Sequence, residues 1–287
     1  SFRRLYFPGH QEILIRSGEA RPENFRFAGH SRFLARRGIR VPRILKSRAQ
    51  GRWLQVEDLG GEHLLDRLQR GSLRRNFKDM TSVLQQVAAF HALRIPPGLQ
   101  LEPPFDAGLY AWEHKLFAEE YLARFGAGSE ARKLEKCRFR VSEILLAQPQ
   151  VLVHRDLQST NLMRVPEGDG GSWAFIDYQG MRRGAAAYDL GSLLADPYVN
   201  RPADLQLELL AQYNQRAEHP VSAAVYAAGA VQRLMQALGA FGRLGVLKGN
   251  ERFRAHIPAA LAQLDLWTVE LLKGQGVENP LRGESDE

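Results

Sequence analysis

Beyond residue 60 the chain reads almost throughout as helix, with one clear interruption. Three short apolar runs, Gln150–Val153, Leu162–Val165 and Trp173–Ile176, carry the β-branched and aromatic residues of strands. Pro166-Glu167-Gly168-Asp169-Gly170-Gly171 stands between the last two as a strong turn signal, so they are predicted to form a hairpin. A strand followed by a hairpin inside helical sequence makes this an α+β chain.

Residues 1–60 read as mostly β with one helix. Gln11–Arg16 is predicted as a strand, and so are Val41–Leu45 and Trp53–Val56 about the turn Ala49-Gln50-Gly51. Glu23–Arg37 is predicted as a helix with Phe27, His30, Phe33 and Leu34 on one face, closed by Gly38. The pair Gly60-Gly61 is a flexible joint, and it sets the expected boundary between an N-terminal lobe of residues 1–60 and a C-terminal lobe of residues 61–287. Past it, Val83, Leu84, Val87 and Phe90 form a core-facing helical stripe that Pro96-Pro97 terminates. Further helices are expected over 111–125, 133–147, 204–217, 222–242 and 258–273, with a frayed tail at 282–287.

Composition narrows the setting. The single Cys137 excludes an internal disulfide and suits a reducing cytoplasm. No apolar run approaches the length of a membrane span, and Ser1–Tyr6 has no apolar core behind its charges, so neither membrane nor signal peptide is expected. With no Met ahead of Ser1, the natural chain is expected to begin earlier. The formal charge of +7 comes from scattered arginines without a basic tail, which fits an anionic small molecule and gives no reason to expect nucleic acid. The protein is expected to be cytoplasmic, as a monomer or weak dimer.

Chemistry concentrates in Val153-His154-Arg155-Asp156-Leu157-Gln158-Ser159-Thr160-Asn161 and, after the hairpin, Phe175-Ile176-Asp177-Tyr178-Gln179. Phosphoryl transfer from a nucleotide needs a carboxylate near the acceptor hydroxyl and hard oxygen ligands that hold Mg²⁺ against the phosphates. Asp156 follows a strand directly and can point outward to an acceptor. Asn161 can offer an amide oxygen to a metal, and Asp177 can hold that metal from the other side, because the hairpin folds their 16-position separation away. Singly these residues are an ordinary loop triplet, a cap and a turn acid. The ordered combination is far more specific.

In these residues the chain resembles the aminoglycoside phosphotransferase branch of the protein-kinase-like superfamily. The resemblance implies a bilobal fold with a small β-rich N-lobe and a larger helical C-lobe, with ATP as phosphoryl donor and Mg²⁺ as cofactor. It implies that Asp156 is the catalytic base, His154 a buttress of its loop, and Asn161 and Asp177 the metal ligands. Asp189, in Ala187-Tyr188-Asp189-Leu190-Gly191, would anchor the catalytic loop, and Glu57-Asp58-Leu59 would be the hinge whose backbone meets adenine, giving Glu57 and Leu59 a place in the nucleotide site.

Pro103–Asp106, Glu113–Tyr121, Asp177-Tyr178-Gln179, Gln232-Arg233 and Gly239–Leu244 resemble a narrower group, bacterial kinases that phosphorylate N-acetylmuramate and N-acetylglucosamine at the anomeric hydroxyl during cell-wall recycling. A polyhydroxylated acceptor with a carboxylate would suit Glu113 and Gln179 as hydroxyl partners and Arg233 or Arg243 as an ion-pair partner. Ser1–Tyr6 fits that group's phosphate-loop region, so Arg3 and Arg4 join the expected nucleotide contacts. Three departures stand out. Arg16 occupies the place of the usual phosphate-binding lysine, His30 stands where an acidic helix partner is usual, and no Gly-rich loop is recognisable. Two other readings are compatible with the same scaffold: transfer to an aminoglycoside, choline or another hydroxyl, or a non-catalytic nucleotide-binding module.

Overall fold

A computed structural model describes residues 2–18, 22–48, 52–125, 128–165, 172–247 and 249–273, with backbone alone for 128–136 and 246–247. The expected turns at 49–51 and 166–171 and the tail at 282–287 lie outside these residues. In chain order the elements are β1 (Phe2–Phe7), β2 (His10–Arg16), a 3₁₀ turn (Pro22–Arg26), α1 (Phe27–Arg36), β3 (Ile44–Arg48), β4 (Trp53–Glu57), α2 (Leu64–Arg70), α3 (Leu73–His91), α4 (Ala107–Phe117) and a π-helical segment (Ala118–Leu122) running into α5 (Ala123–Phe125). There follow α6 (Gly128–Leu146), β5 (Gln150–Val153), β6 (Leu162–Val165), β7 (Ser172–Phe175), β8 (Arg182–Ala185), α7 (Ala186–Leu194), α8 (Ala203–Asn214), α9 (Ala223–Phe241), a second π-helical segment (Gly242–Leu247), α10 (Glu251–Arg254) and α11 (Ile257–Lys273). The fold is α+β, with its large sheet in the N-terminal part and its helices mainly in the C-terminal part.

The chain divides into two compact units. The first comprises Ser1–Pro104, Leu152–Arg183 and Arg216–Glu218, and so runs past Gly60 to take in α2, α3 and the hairpin of β6 and β7. Its antiparallel sheet has the order β1-β2-β4-β3. The N-terminal segment, expected to belong to the phosphate-loop region, forms an edge strand of this sheet. Phe7 faces His10 across a two-residue turn in which Gly9 takes φ +81°, a conformation a side chain would strain. Alternation along β1 then sends Phe2 and Arg4 to one face and Arg3 to the other. α1 ends as expected. Gly38 has φ +80°, and the Gly38 and Ile39 amides donate to Ala35 O and Leu34 O. The expected helix start at Glu23 is instead the 3₁₀ turn 22–26. The core stripe of α3 is fully buried at Val83, Leu84, Val87 and Phe90, and Phe90 meets Phe175 of β7 edge to face at 5.5 Å.

The second unit comprises Phe105–Val151, Gly184–Gln215 and His219–Glu287. Here α4 begins four residues earlier than its apolar pattern suggests, because Asp106 Oδ1 accepts from the Leu109 amide at 2.7 Å and caps the helix. The backbones of α7 and α9 touch through a glycine pair: a Cβ on Gly191 would stand 2.5 Å from Gly229 O, and one on Gly229 would stand 2.0 Å from Ala187 O. That approach buries all nine residues of α7, Tyr188 and Asp189 included.

Candidate active site

In the first unit, β6 and β7 pair with Leu162 opposite Phe175, so the residues flanking that register, Asn161 and Ile176, are neighbours. The Ile176 amide donates to Asn161 O at 3.1 Å, which brings Asp177 beside Asn161. Two more bonds hold Asn161, and a third closes the loop around it. Its amide donates to Gln158 O at 2.9 Å, its side-chain Nδ2 donates to Asp156 O at 2.8 Å, and the Gln158 amide donates back to Asp156 O at 2.9 Å. With Nδ2 turned to the Asp156 carbonyl, Oδ1 is the acceptor the side chain offers to an outside partner.

Two residues here lie in the left-handed region, Arg155 at φ +81° and Asp177 at φ +61°. Each costs about 1 kcal/mol of backbone strain, and strain of this kind persists where the surroundings impose it. His154 is one such constraint. Buried to 1% exposure, it bonds Ile176 O through Nε2 at 2.9 Å and sets its ring against Phe175. Because a carbonyl can only accept, Nε2 carries the proton. Strand β5 is thereby tied to the residue preceding Asp177. Gln179 donates from Nε2 to Asp177 Oδ1 at 2.6 Å, so it holds the acid in addition to any contact with an acceptor.

A cavity of about 640 Å³ opens within this unit. Ile13, Ile15, Val56, Leu59, Met163 and Ile176 give it apolar walls, and Arg4, Arg16, Glu57, Asn161, Asp177 and Gln179 line it too. It therefore combines apolar walls with a few polar and charged groups, the pattern of a small-molecule site. Leu59 is buried in a small cluster with Val165 and Ala174. Arg4 donates from Nε to Asp58 Oδ2 at 2.5 Å and from Nη2 to Gly60 O at 3.2 Å, joining β1 to the segment after β4. Arg16 lies over the Trp53 ring at 5.0 Å. Glu57 receives the Arg40 fork at 2.7 and 2.9 Å; burial pushes its carboxyl upward, but Arg40 and Arg43 outweigh that and hold it below the ordinary carboxylate range. Arg3 stands on the far face of β1 from Arg4.

The donor set fits Mg²⁺. Among the described residues no three His, Cys, Asp or Glu side chains cluster as a self-sufficient metal cage. Asn161, with its Oδ1, and Asp177, with an exposed carboxylate, are residues of the cavity lining that carry hard oxygens. Mg²⁺ bound by one or two protein oxygens takes its remaining ligands from phosphates and water.

The expected acceptor residues fall in different surroundings. Glu113, in the second unit, is 1% exposed, and Tyr188 Oη and Gln232 Nε2 donate to its two oxygens at 2.8 and 2.9 Å. The sequence suggests an open carboxylate; the structure has it inside a polar network, because α4, α7 and α9 pack around it. His114 Nε2 donates to Gln232 Oε1 at 2.7 Å, and burial lowers its pKa. Arg233, also buried, donates to Gln236 Oε1 at 2.6 Å and lies over the Tyr188 ring. Arg243 is exposed on the second π-helical segment. Asp189 is fully buried in α7 of the same unit.

The model of the phosphotransferase enzyme family matches residues 14–228, three quarters of the chain. The chain belongs to that family. This phosphotransferase is 30% identical to the N-acetylmuramate/N-acetylglucosamine kinase of Pseudomonas putida, over 92% of the chain and 80% of the relative. It is 29% identical to the enzyme of that name from Pseudomonas aeruginosa, with the same coverage. Among solved structures it is similar to a microcompartment-associated aminopropanol kinase (TM-score 0.66, 18% identity, 97% of this chain and 94% of the other). It is also similar to the choline kinase LicA of Streptococcus pneumoniae (TM-score 0.64, 13% identity, 92% and 89%). At such identities the structures speak for the fold alone. The phosphotransferase is thus a kinase acting between a nucleotide and a small molecule. Among its described residues no helix is long and apolar enough to cross a membrane.

Proposed function

We propose that the protein transfers the γ-phosphoryl group of ATP to the anomeric hydroxyl of an N-acetylated amino sugar of the N-acetylglucosamine or N-acetylmuramate type. The observation that carries the phosphoryl-transfer half is the bonded loop in which Asn161 Nδ2 donates to Asp156 O while Asp177 stands beside it. Asp156 takes the proton of the attacking hydroxyl, the sugar oxygen bonds to the γ-phosphorus, and the bond to the β-phosphate oxygen breaks to release ADP. Asn161 Oδ1 and Asp177 would hold Mg²⁺, which neutralises charge on the phosphates when bound. The apolar walls at Ile13, Ile15, Val56 and Leu59 suit a purine, with the backbone of Glu57–Leu59 as its hydrogen-bonding edge. His154 orients the loop.

The choice of sugar rests on the two Pseudomonas relatives, whose names carry the acceptor. Cell-wall recycling is the corresponding setting. The test is a Mg-ATP turnover screen over N-acetylated sugars, amino alcohols and aminoglycosides, with the phosphate position read by ³¹P NMR. Transfer to N-acetylglucosamine that vanishes with the 1-O-methyl glycoside is the expected result. Transfer to the blocked glycoside, or turnover with choline or an aminoglycoside alone, removes the anomeric assignment.

A further inference from the structure

His63 lies between the glycine pair and α2, and nothing in its local sequence marks it for chemistry. The residue nevertheless lines the same cavity as Asn161 and Asp177, and its Nδ1 lies 2.6 Å from the carbonyl oxygen of Thr160, 97 residues away in the chain. A carbonyl oxygen only accepts, so Nδ1 carries the proton and donates.

The backbone on both sides of this bond is held independently. The His63 amide donates to Asp66 Oδ2 at 2.9 Å, so the start of α2 is secured by Asp66. The Arg164 amide donates to Glu62 O at 2.9 Å, and His63 bridges Met163 in antiparallel fashion, laying residues 62–63 along β6. His63 is the N-cap residue of α2, in a capping-box arrangement with Asp66, so its ring stands both at the helix start and at the Thr160 carbonyl.

That carbonyl belongs to the peptide unit that carries Asn161. The N–H end of this peptide donates to Gln158 O at 2.9 Å, and its C=O end accepts from His63. The peptide plane is thus held at both polar ends, while the side chain is held by Asp156 O. Removing the His63 bond leaves the plane free to rotate about its remaining anchor, and a rotation there swings Asn161 Oδ1 directly.

We propose that His63 is a positioning residue of the phosphoryl-transfer site: through its Nδ1–H bond to the Thr160 carbonyl it sets the orientation in which Asn161 Oδ1 meets the metal. The inference rests on the reading of Asn161 as a metal ligand. Groups that orient a metal's ligands typically change metal affinity or activity by about 10- to 100-fold when lost.

The test is a Mn²⁺ titration of the full chain with β,γ-methylene-ATP, in which free Mn²⁺ is read by electron paramagnetic resonance, run beside steady-state kinetics and thermal melts. The variants are His63→Phe, which keeps a ring without the donor, His63→Asn, which returns a donor near the Nδ1 position, and Asn161→Ala. His63→Phe is expected to weaken Mn²⁺ binding about tenfold and His63→Asn to recover it to within about threefold, with the acceptor KM unchanged in both. Wild-type Mn²⁺ affinity in His63→Phe, with Asn161→Ala impaired, overturns the role of His63 alone. So does a His63→Asn no better than His63→Phe at equal melting temperature. Unimpaired binding in Asn161→Ala overturns the metal-ligand reading and this inference with it.

Discussion

The side-chain amide of Asn161 donates to the main-chain carbonyl of Asp156 at 2.8 Å, so the proposed base and the proposed metal ligand belong to one closed loop. A change at either residue therefore reaches the other through the backbone, and effects at the two positions are expected to be non-additive.

Asp156→Asn tests the base. The main-chain bonds of the loop survive, since both use the carbonyl oxygen of residue 156. Turnover is expected to fall by about 10²- to 10⁴-fold while nucleotide affinity, measured by ADP titration calorimetry, stays within about twofold of wild type. Retained turnover would falsify the assignment of Asp156.

Arg4 and Asp58 join β1 to the segment after β4 beside the cavity, with Asp58 the nearly buried partner. Arg4→Ala and Asp58→Asn are both expected to raise the nucleotide KM several-fold, and the double variant to do no worse than the more impaired single one. A double-mutant cycle on the nucleotide KM checks this; strictly additive effects mean the pair does not act as a unit.

Glu113 separates two readings of the second unit. If its role is the buried network, Glu113→Ala leaves the Gln232 and Tyr188 donors without their acceptor and removes a buried carboxylate near Arg233. That is expected to cost about 3 kcal/mol, read as a lowered urea midpoint. A direct sugar contact would instead raise the acceptor KM with the midpoint unchanged.

Acid should destabilise the fold through His30 and His114. Burial is the largest cause at both and lowers each pKa from the ordinary 6.5, although a hydrogen bond to Gln100 O or Gln232 opposes it. The unfolded chain binds these protons more readily, so the contribution is fully present above about pH 6.5 and is lost as pH falls from there through the lower folded-state values. Melting temperature is expected to drop between pH 7 and 5. The double variant His30→Gln, His114→Gln, which keeps a donor near each Nε2, should flatten that drop; an unchanged slope would assign it to other groups.

What the sequence alone determined was local. The order His154, Asp156, Asn161, Asp177 about a strand and a hairpin was legible because strand propensity, turn residues and spacing are properties of neighbouring positions. The Schellman end at Gly38 and the core stripe of α3 were legible for the same reason. That residues 2–7 form a strand was not legible, because a strand's pairing depends on its partner, here β2 across the turn at Gly9. The character of Glu113 and Arg233 also escaped the sequence. A charged residue on a helix is ordinarily solvated, and only the packing of α4, α7 and α9, with Gly191 against Gly229, buries these two among compensating donors and acceptors. His63 carried no signal at all, since its partner is the Thr160 carbonyl, a backbone group that every residue possesses and no side-chain pattern announces. Tertiary structure decided which of these groups meet, because hydrogen bonds between distant positions depend on where the chain brings them.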